Sequence, residues 1–300
     1  MAKTIVTGYI GDYLFWNNFN FTCVAYLHDG DQTPQKHDHK DFLELVIVRS
    51  GNAVHEVNDC SSNISAGQVF LLSPGDVHCY KNPENFYIYN ILFDEYFMHY
   101  LQPDIVVTPG YQMLFNADYS DKNAALRPNL FIRQEMFPEV MRLLENMITA
   151  EKKKFPGAQT KIISDFLQLI FIISTNVTVN NENSGYHLYN ISRLAAHLET
   201  TFDQPWTLEK MAQYAKIPVS NFRQLFTKIM GDPPIRYLLN LRLQKSTDLL
   251  IAKNISISET AYLCGFNDLN YFSRQFKNYF SYSPSEYLKK YKYQKPEINR

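Results

Sequence analysis

The last third of the chain repeats one helix-turn-helix pattern, and this duplication limits the possible folds more than any other feature. The first copy covers residues 210–238 and the second covers 260–288. Each copy predicts a short helix, a tight turn, a second helix with the pattern F-x-x-x-F, and a Pro-containing turn before Tyr-Leu. The matching phenylalanines, 50 residues apart, are Phe222 and Phe226 in the first copy and Phe272 and Phe276 in the second. Two such units in one chain predict contacts with two neighbouring stretches of DNA.

Charge is divided unevenly between the two parts of the chain. The 300 residues suffice for two domains, and 45% apolar with 20% charged residues are ordinary values for a globular protein. From residue 187 onward there are 16 Lys and Arg against 9 Asp and Glu, a net charge of +7, whereas the remainder has 13 against 21, a net charge of −8. An acidic part joined to a basic part is typical of a DNA-binding module attached to another domain. Charge alone also fits a chance surface distribution, so the repeat decides between the two interpretations.

The cysteines and the apolar segments predict a cytoplasmic protein. Four cysteines without close spacing indicate reduced thiols. The first residues lack the charged and apolar regions of a secretory signal. The most apolar run, 162–173, is interrupted by polar residues and is too short to span a bilayer, so no membrane partner is expected.

The first part of the chain predicts a β-rich domain followed by two helices. Residues 4–97 contain short strand-like runs separated by Gly, Pro, Asn and Asp, which indicates a small antiparallel barrel or sandwich. Residues 138–152 and 159–174 have apolar residues at three-and-four spacing, which predicts two amphipathic helices. The apolar stripe of the first helix needs a cover, which is either a dimer partner or the β-domain of the same chain.

A polar, Asn-rich segment separates this part from the helical part. Residues 176–185 have the composition of a linker, and nearly everything after residue 189 predicts helix, beginning with 190–202. A helix predicted over 234–252 joins the two copies of the repeat. Its 19 residues span about 28 Å, close to the ~34 Å of one turn of DNA. We therefore expect it to hold the two recognition helices at a fixed separation.

The C-terminal part resembles the DNA-binding domain of the AraC/XylS family of bacterial transcription regulators. The residues that support the resemblance in the first unit are Ala212, Ile217, Phe222, Leu225, Phe226, Gly231, Pro233 and Tyr237. Those in the second unit are Ile257, Ala261, Gly265, Phe266, Tyr271, Phe272, Arg274, Phe276, Lys277, Pro284 and Tyr287. The resemblance implies a two-domain α+β fold, with an N-terminal cupin-like β-barrel and two following helices, then an all-α domain of two helix-turn-helix units joined by a long helix. The expected boundaries are 1–175 for a ligand-sensing and dimerisation domain, 176–186 for a linker and 187–294 for the DNA-binding domain.

The sequence departs from the family pattern at three positions. Gln224 and Thr227 stand where the family commonly has Arg and Lys, which weakens the phosphate and base contacts expected of the first unit. Ser281 stands where Gly usually follows the aromatic residue. We therefore expect the second unit to supply most of the affinity for DNA and the first to adjust specificity.

A recognition helix in the major groove presents polar side chains to base edges and flanking cations to phosphates. The predicted DNA-binding residues are Ser220, Asn221, Arg223, Gln224 and Lys228 in the first unit and Leu269, Asn270, Tyr271, Arg274 and Lys277 in the second. In the first unit Arg223 can pair with guanine and either Asn221 or Gln224 with adenine. In the second unit Arg274 and Asn270 are the expected base readers. Lys277 is expected on a phosphate, whereas Asp268 would repel phosphate and is expected to cap its helix. The alternative for each side chain is a solvated helix face.

Two motifs in the N-terminal part resemble those of the cupin barrel. They contain His37, His39, Glu44 and Gly51 in the first motif and Gly75, His78 and Asn82 in the second. In the cupin pattern three His and one Glu can bind a divalent metal, and such donors suit Mn, Fe, Ni or Zn. The resemblance to the regulators implies instead a small-molecule pocket without a cofactor. The candidate ligand-binding residues are His37, His39, Glu44, His78 and Tyr80, of which the first four are also the candidate metal ligands, and a purely structural role is the third alternative.

Two functions from different classes fit these observations. The first is a transcription regulator, not an enzyme, that binds double-stranded DNA as a homodimer, responds to a small-molecule effector such as a sugar or related metabolite, and contacts RNA polymerase. The second is a metal-dependent cupin enzyme fused to a DNA-binding module. A DNA-packaging protein without a ligand is disfavoured by the net charge of −1 and by the pocket motifs.

Overall fold

A computed structural model describes residues 6–8, 20–28, 36–94, 97, 104–117, 129–179, 184–252 and 255–292. The chain divides into two compact units, Met1–Arg193 and Leu194–Arg300. The first is built around a sheet and the second is helical, which confirms the predicted two-domain α+β class. In the ranges given above, every helix is too short or too polar to cross a membrane.

One sheet forms the centre of the first unit. Its described strands are β1 (Val6–Gly8), β2 (Phe21–His28), β3 (His37–His39), β4 (Leu43–Val57), β5 (Cys60–Ser65), β6 (Gln68–Leu72), β7 (His78–Phe93), β8 (Leu130–Ile132) and β9 (Val177–Val179). The strand order is β1-β3-β7-β4-β6-β8-β9, with β2 paired to β7 and β5 to β4. Among these strands only β1 and β3 pair in parallel. The long strands β4 and β7 pair along most of their length, so they hold the sheet together.

The pairing of β4 with β7 changes register in the middle of both strands. Register shifts fall between Val48 and Val54, and Gly51 lies among them with a φ of 74°. A Cβ atom at Gly51 would lie 2.2 Å from the carbonyl oxygen of Asn85. Only glycine fits this close backbone approach, which explains the glycine of the first cupin-like motif.

Two helices pack against the sheet within the first unit. They are α2 (Phe137–Lys153) and α3 (Ala158–Thr175), preceded by the short α1 (Pro109–Tyr111), a π-turn (Gln112–Asn116) and two 3-10 turns (Ile105–Val107 and Gln134–Met136). The apolar stripe of α2 is fully buried inside the chain and consists of Val140, Leu143, Leu144 and Met147. The same chain, through α3 and β2, therefore covers this stripe, and no dimer partner covers it.

Polar contacts fix the end of α2 to β2. Glu151 accepts hydrogen bonds from the Thr22 hydroxyl at 2.6 Å and from the Cys23 amide at 3.0 Å. Phe166 of α3 packs edge-on against Phe21 of β2, with ring centres 5.3 Å apart. The four cysteines of the chain form no disulfide, so these contacts and the apolar core hold the unit together.

Part of the segment that the composition predicts as linker belongs to the sheet. Val177–Val179 forms β9 and pairs with β8. The sequence Val-Thr-Val is β-branched throughout, which favours a strand once a partner edge is available. The helix α4 (Ser184–Thr201) follows and starts earlier than the predicted 190–202. The division between the two units falls inside α4, after Arg193. This position differs from the ends predicted for the ligand-sensing domain (1–175) and the DNA-binding domain (187–294), which therefore stay predictions.

Six further helices make up the described part of the second unit. They are α5 (Leu208–Tyr214), α6 (Val219–Met230), α7 (Pro234–Ala252), α8 (Ile257–Leu263), α9 (Leu269–Phe280) and α10 (Pro284–Lys292). The predicted joining helix is confirmed as α7, with both ends as expected. It contacts α5 and α6 on the one hand and α8, α9 and α10 on the other. The two helix-turn-helix units therefore share one central helix.

Candidate nucleic-acid interface and effector site

Each recognition helix is anchored by the same three aromatic rings. These are Phe222, Phe226 and Tyr237 in the first unit and Phe272, Phe276 and Tyr287 in the second. All four phenylalanines are completely buried. Phe226 and Phe276 each meet their tyrosine edge-on, with ring centres 5.4 Å apart in both units. Because this anchor occupies one face of α6 and of α9, the opposite face of each helix points to solvent.

The predicted DNA-binding side chains lie on these outward faces. In α6, four are exposed and Lys228 is half-buried; the exposed ones are Ser220, Asn221, Arg223 and Gln224. In α9 all five are exposed, namely Leu269, Asn270, Tyr271, Arg274 and Lys277. The guanidinium of Arg274 lies 5.6 Å from the centre of the Tyr271 ring, and this cation–π contact orients it. The structure thus brings each predicted set onto one accessible surface, which is what groove reading requires.

The starts of the two recognition helices differ. Asp268 caps α9, because its Oδ1 accepts a hydrogen bond from the Tyr271 amide at 2.6 Å, and this prediction is confirmed. The corresponding position in α6 is Pro218, which provides no side-chain cap. The helices α6 and α9 are 50 residues apart, whereas α5 and α8 are 49 apart. The turn of the second unit is therefore one residue longer, which the spacing of the phenylalanines alone did not show.

The departures from the family pattern have structural counterparts. The Thr227 hydroxyl donates to the carbonyl oxygen of Arg223 at 2.8 Å, so it is turned back to its own helix instead of toward solvent. Gln224 is exposed and uncharged at the position that corresponds to Arg274. Ser281 ends α9 in the left-handed conformation, with a φ of 64°. The first unit has Gly231 at this position, with a φ of 78°.

The turn of the second unit contains a packing constraint that the sequence did not reveal. Gly265 has a φ of 77°, and a Cβ atom there would lie 2.5 Å from the carbonyl oxygen of Asp203. Arg242 of α7 lies beside it and donates to the carbonyl oxygens of Phe202 at 2.7 Å and Gln204 at 2.8 Å. The glycine of the family signature is therefore needed for backbone packing against the end of α4.

The cupin-like motifs bring their polar residues together inside the first unit. His39 Nε2 lies 2.9 Å from Glu44 Oε2, and His78 Nε2 lies 3.9 Å from the same oxygen. The two Nε2 atoms are 3.4 Å apart. One nitrogen from each of His37, His39 and His78 falls within 4.8 Å of the others. His39, His78 and Glu44 are buried, and His37 is half-buried.

Three further side chains complete this cluster. His55 Nε2 lies 3.4 Å from His78 Nδ1, and the Asn90 amide donates a hydrogen bond to Glu44 Oε1. Tyr80 stacks on His55 with ring centres 4.8 Å apart, and burial raises the pKa of its hydroxyl well above the usual range. His55 belongs to neither cupin-like motif and was not predicted as a site residue. Its alternation with Val57 on β4 was the available signal, since both side chains point inward.

A pocket lies beside this cluster and shares only His55 with it. Its lining comes from β4, β5, β6, the π-turn and the residues around β8, and includes Ser62, Gln68, Phe70, Met113 and Asn129. The side chain of Phe70 packs on His55, with ring centres 4.7 Å apart. The predicted ligand residues His37, His39, Glu44, His78 and Tyr80 do not line this pocket; they lie behind its His55 wall.

Comparison with known proteins connects both units to one family. Residues 18–169, about half of the chain, match the model described as an AraC-like ligand binding domain, and residues 211–290 match a helix-turn-helix domain model. The transcriptional activator RhaS of Enterobacter sp. strain 638 is 29% identical over 252 residues, which cover 83% of this chain and 85% of that protein. The transcriptional activator RhaR of Mannheimia succiniciproducens is 28% identical over 254 residues, covering 84% and 86%. The crystal structure of ToxT from Vibrio cholerae O395 is 16% identical, with a TM-score of 0.33, and covers 89% of this chain and 96% of that one.

RhaS and RhaR are transcriptional activators, and the second unit has two solvent-facing recognition helices. The protein is therefore a DNA-binding transcription regulator and not an enzyme, which removes the alternative of a cupin enzyme fused to a DNA-binding module. The matched ligand-binding domain and the duplicated helix-turn-helix domain together place this chain in the AraC/XylS family.

Proposed function

We propose that this regulator responds to a small neutral polyhydroxylated molecule, a sugar or a related metabolite, which binds in the pocket of the first unit. The observation that carries the proposal is the composition of the pocket wall. Among the described lining residues there is no Lys, Arg, Asp or Glu, which disfavours a charged ligand. One aromatic ring, Phe70, and polar side chains such as Ser62 and Asn129 are present, which suit the apolar face and the hydroxyl groups of a sugar.

The effector acts by favouring one arrangement of a homodimer on DNA. A ligand shifts such an equilibrium only if it binds the two arrangements unequally. The dimer contact lies outside the apolar stripe of α2, because that stripe is buried within one chain. Bound DNA then presents the regulator to RNA polymerase, and the protein acts in the cytoplasm, where a bacterial chromosome lies.

Binding in the pocket is tested by screening neutral sugars against the full chain in thermal-shift measurements, with sugar acids and sugar phosphates as charged comparisons. Cys60 lines the pocket and is half-buried, whereas Cys23, Cys79 and Cys264 are buried. A bound sugar should therefore protect Cys60 from alkylation, detected by peptide mass spectrometry, while the other three react slowly with or without ligand.

A variant pair tests whether the pocket is the binding site. Phe70→Ala removes the ring that lines the pocket and should weaken sugar binding by about tenfold or more. Phe171→Ala removes an exposed ring, 58% accessible, from α3 of the same unit and should leave binding unchanged. Preference for charged ligands, or equal binding by both variants, would rule out the neutral pocket.

The second unit of the DNA-binding domain is proposed to supply most of the affinity, with Arg274 and Asn270 reading bases and Lys277 on a phosphate. Arg274→Ala should weaken the free energy of DNA binding by roughly 1–3 kcal/mol and relax specificity at one base position. Lys277→Ala should weaken binding to all DNA sequences alike. It should also make the salt dependence of the affinity shallower, by the amount that corresponds to about one phosphate contact. Gel-shift titrations on an operator library at several salt concentrations separate the two roles. A uniform loss on Arg274→Ala would show that it does not read bases.

A further inference from the structure

Two amide side chains lie next to each other in the wall of the pocket. Gln68 is the first residue of β6 and is buried, and Asn129 directly precedes β8 and is half-buried. Both belong to the pocket lining. Pairing of β6 with β8 sets Gln68 opposite Phe131, two residues beyond Asn129. The sheet therefore holds the two amide groups in place.

A main-chain donor determines the orientation of the Gln68 amide. The Oε1 atom of Gln68 accepts a hydrogen bond from the Ser65 backbone N–H, and the Ser65 hydroxyl lies 3.4 Å from the same oxygen. Because a backbone N–H can only donate, the atom that faces it is the oxygen of Gln68 and not the nitrogen. The turn between Ser65 and Gln68 is itself held, since the Gly67 amide donates to the carbonyl oxygen of Val48 at 2.9 Å.

The orientation of Asn129 follows from that of Gln68. The Nε2 atom of Gln68 donates to Oδ1 of Asn129 at 3.1 Å. An NH2 group can only donate, so the oxygen of Asn129 faces Gln68. Among the described residues the Asn129 side chain makes no second hydrogen bond, which leaves its Nδ2 atom with N–H groups to offer. The pocket wall therefore presents a hydrogen-bond donor at this point and not an acceptor.

The hydroxyl group of Ser62, which also lines the pocket, differs in this respect. A serine hydroxyl both donates and accepts, and it rotates to suit its partner. It therefore accommodates either kind of ligand atom, whereas the amide of Asn129 is held in one orientation by its neighbour. Discrimination between donor and acceptor atoms of a ligand belongs to Asn129.

We propose that Asn129 selects the effector by donating a hydrogen bond from Nδ2 to an oxygen atom of the ligand. Gln68 is the positioning residue that keeps this donor turned toward the pocket. The inference rests on the proposed function, in which a neutral polyhydroxylated molecule binds here, and it adds which side chain distinguishes one such molecule from another. A ligand without an acceptor at this point leaves the donor of Asn129 without a partner, so its binding is weaker.

The test measures sugar binding to the full chain by calorimetry. The probes are the neutral aldopentoses, aldohexoses and 6-deoxyaldohexoses, and each hydroxyl of the tightest-binding probe is then replaced in turn by fluorine or by hydrogen. Fluorine accepts a hydrogen bond weakly and cannot donate one, whereas hydrogen does neither. At one position the fluoro analogue should bind about two- to fivefold more tightly than the deoxy analogue. If the oxygen of Asn129 faced the ligand instead, fluorine would give no such advantage at any position.

Three variants assign this preference to the amide pair. Asn129→Asp replaces the donor by an acceptor at nearly constant volume and should abolish the preference for fluorine. Gln68→Met removes the contact that orients Asn129 and should reduce the preference, although Asn129 itself is unchanged. Asn146→Asp makes the first substitution on α2, outside the pocket lining, and should behave as the parent chain does. Circular dichroism of each variant shows whether the chain is folded.

The outcomes separate this inference from the proposed function. A sugar that Phe70→Ala binds weakly, but that Asn129→Asp binds with the parent affinity and the parent preference, would overturn the role of Asn129 and leave the pocket standing. Absence of binding by every probe, or binding that Phe70→Ala does not weaken, would remove the neutral pocket and this inference with it. Loss of the fluorine preference in folded Asn129→Asp, with the preference retained in Asn146→Asp, supports the assignment.

Discussion

The two copies of the repeat differ at Ser281 by a single replacement of glycine by serine. Ser281 ends α9 with a φ of 64°, where the first unit has glycine. A left-handed conformation costs a residue with a Cβ roughly 1–2 kcal/mol, and glycine avoids this cost apart from the greater entropy that it loses on folding. Ser281→Gly should therefore raise the free energy of unfolding by about 0.5–1 kcal/mol, measured by urea unfolding.

Ser283 provides the control for this substitution. Its hydroxyl accepts a hydrogen bond from the Glu286 amide at 3.3 Å, and its own amide donates to the Glu286 carboxylate at 2.7 Å. This reciprocal pair is a capping box at the start of α10. Ser283→Gly makes the same chemical change but should lower stability by a few tenths of a kcal/mol. Equal effects of the two substitutions would show that the φ angle of Ser281 is not the cause.

The carboxyl group of Glu151 gives the first unit a pH dependence. Burial raises the pKa of Glu151 above its usual range, although hydrogen bonds from Thr22 and Cys23 oppose the shift. The folded chain therefore binds this proton more tightly than the unfolded chain. The stability that the group contributes is fully present below the unfolded pKa, near 4.5, and is lost as pH rises through the folded pKa.

Glu151→Gln tests this dependence, because glutamine imitates the protonated group at every pH. Relative to that variant, the parent chain should be less stable at pH 8 than at pH 5, as measured by urea unfolding followed by circular dichroism. A stability difference that does not change with pH would mean that Glu151 titrates alike in the folded and unfolded chains.

At the scale of an element, α6 and α9 share an anchor but differ in charge. Gln224 occupies the position of Arg274, and both side chains are exposed. Gln224→Arg should therefore strengthen operator binding by about tenfold, within the range of one good charged contact to DNA. Gln159→Arg adds the same charge to an exposed position of the first unit and should have little effect in the same gel-shift titration. Unchanged affinity for Gln224→Arg would contradict the unequal division of binding between the units.

Elements with strong local periodicity could be predicted from the sequence. The helices α2, α3 and α7 begin and end within about two residues of their predicted ranges, because apolar spacing and flanking Pro residues are local signals. The strand β9 was missed because a Val-Thr-Val segment gains its structure from pairing with β8, more than forty residues earlier. The longer turn before α9 was missed because the phenylalanines that show the 50-residue spacing all lie after the turn, within α6 and α9.

In the candidate sites too, features that depend on local spacing could be predicted, whereas features that depend on long-range packing could not. Motif spacing predicted the cluster of His37, His39, Glu44 and His78, because alternation along short strands directs those side chains to one interior. A small-molecule pocket was predicted but its lining was not, since Phe70, Met113 and Asn129 come from separate segments that only the folded chain brings together. Long-range packing, which leaves no local pattern, accounts for the difference.

At the scale of the whole DNA-binding unit, α7 contacts both recognition helices, so we expect it to fix the distance between them. Its 19 residues span about 28 Å without an interruption. Inserting ~5 base pairs between the two contact sites of an operator turns one site to the opposite face of the duplex, so affinity should fall at least tenfold. Inserting ~10 base pairs restores the face but adds ~34 Å, so a rigid α7 predicts that binding stays weak. Recovery with the longer insertion would show that the two units move independently.

Because both helix-turn-helix units pack on α7, this helix also determines how the second unit unfolds. Each helix-turn-helix has its own aromatic anchor, yet one wall of each core belongs to the same helix. Loss of either core exposes a face of α7 and removes the template on which the other is built. Protection of backbone amides from hydrogen exchange should consequently disappear together in α6 and α9, so that two modules related by an internal duplication melt as a single cooperative foldon.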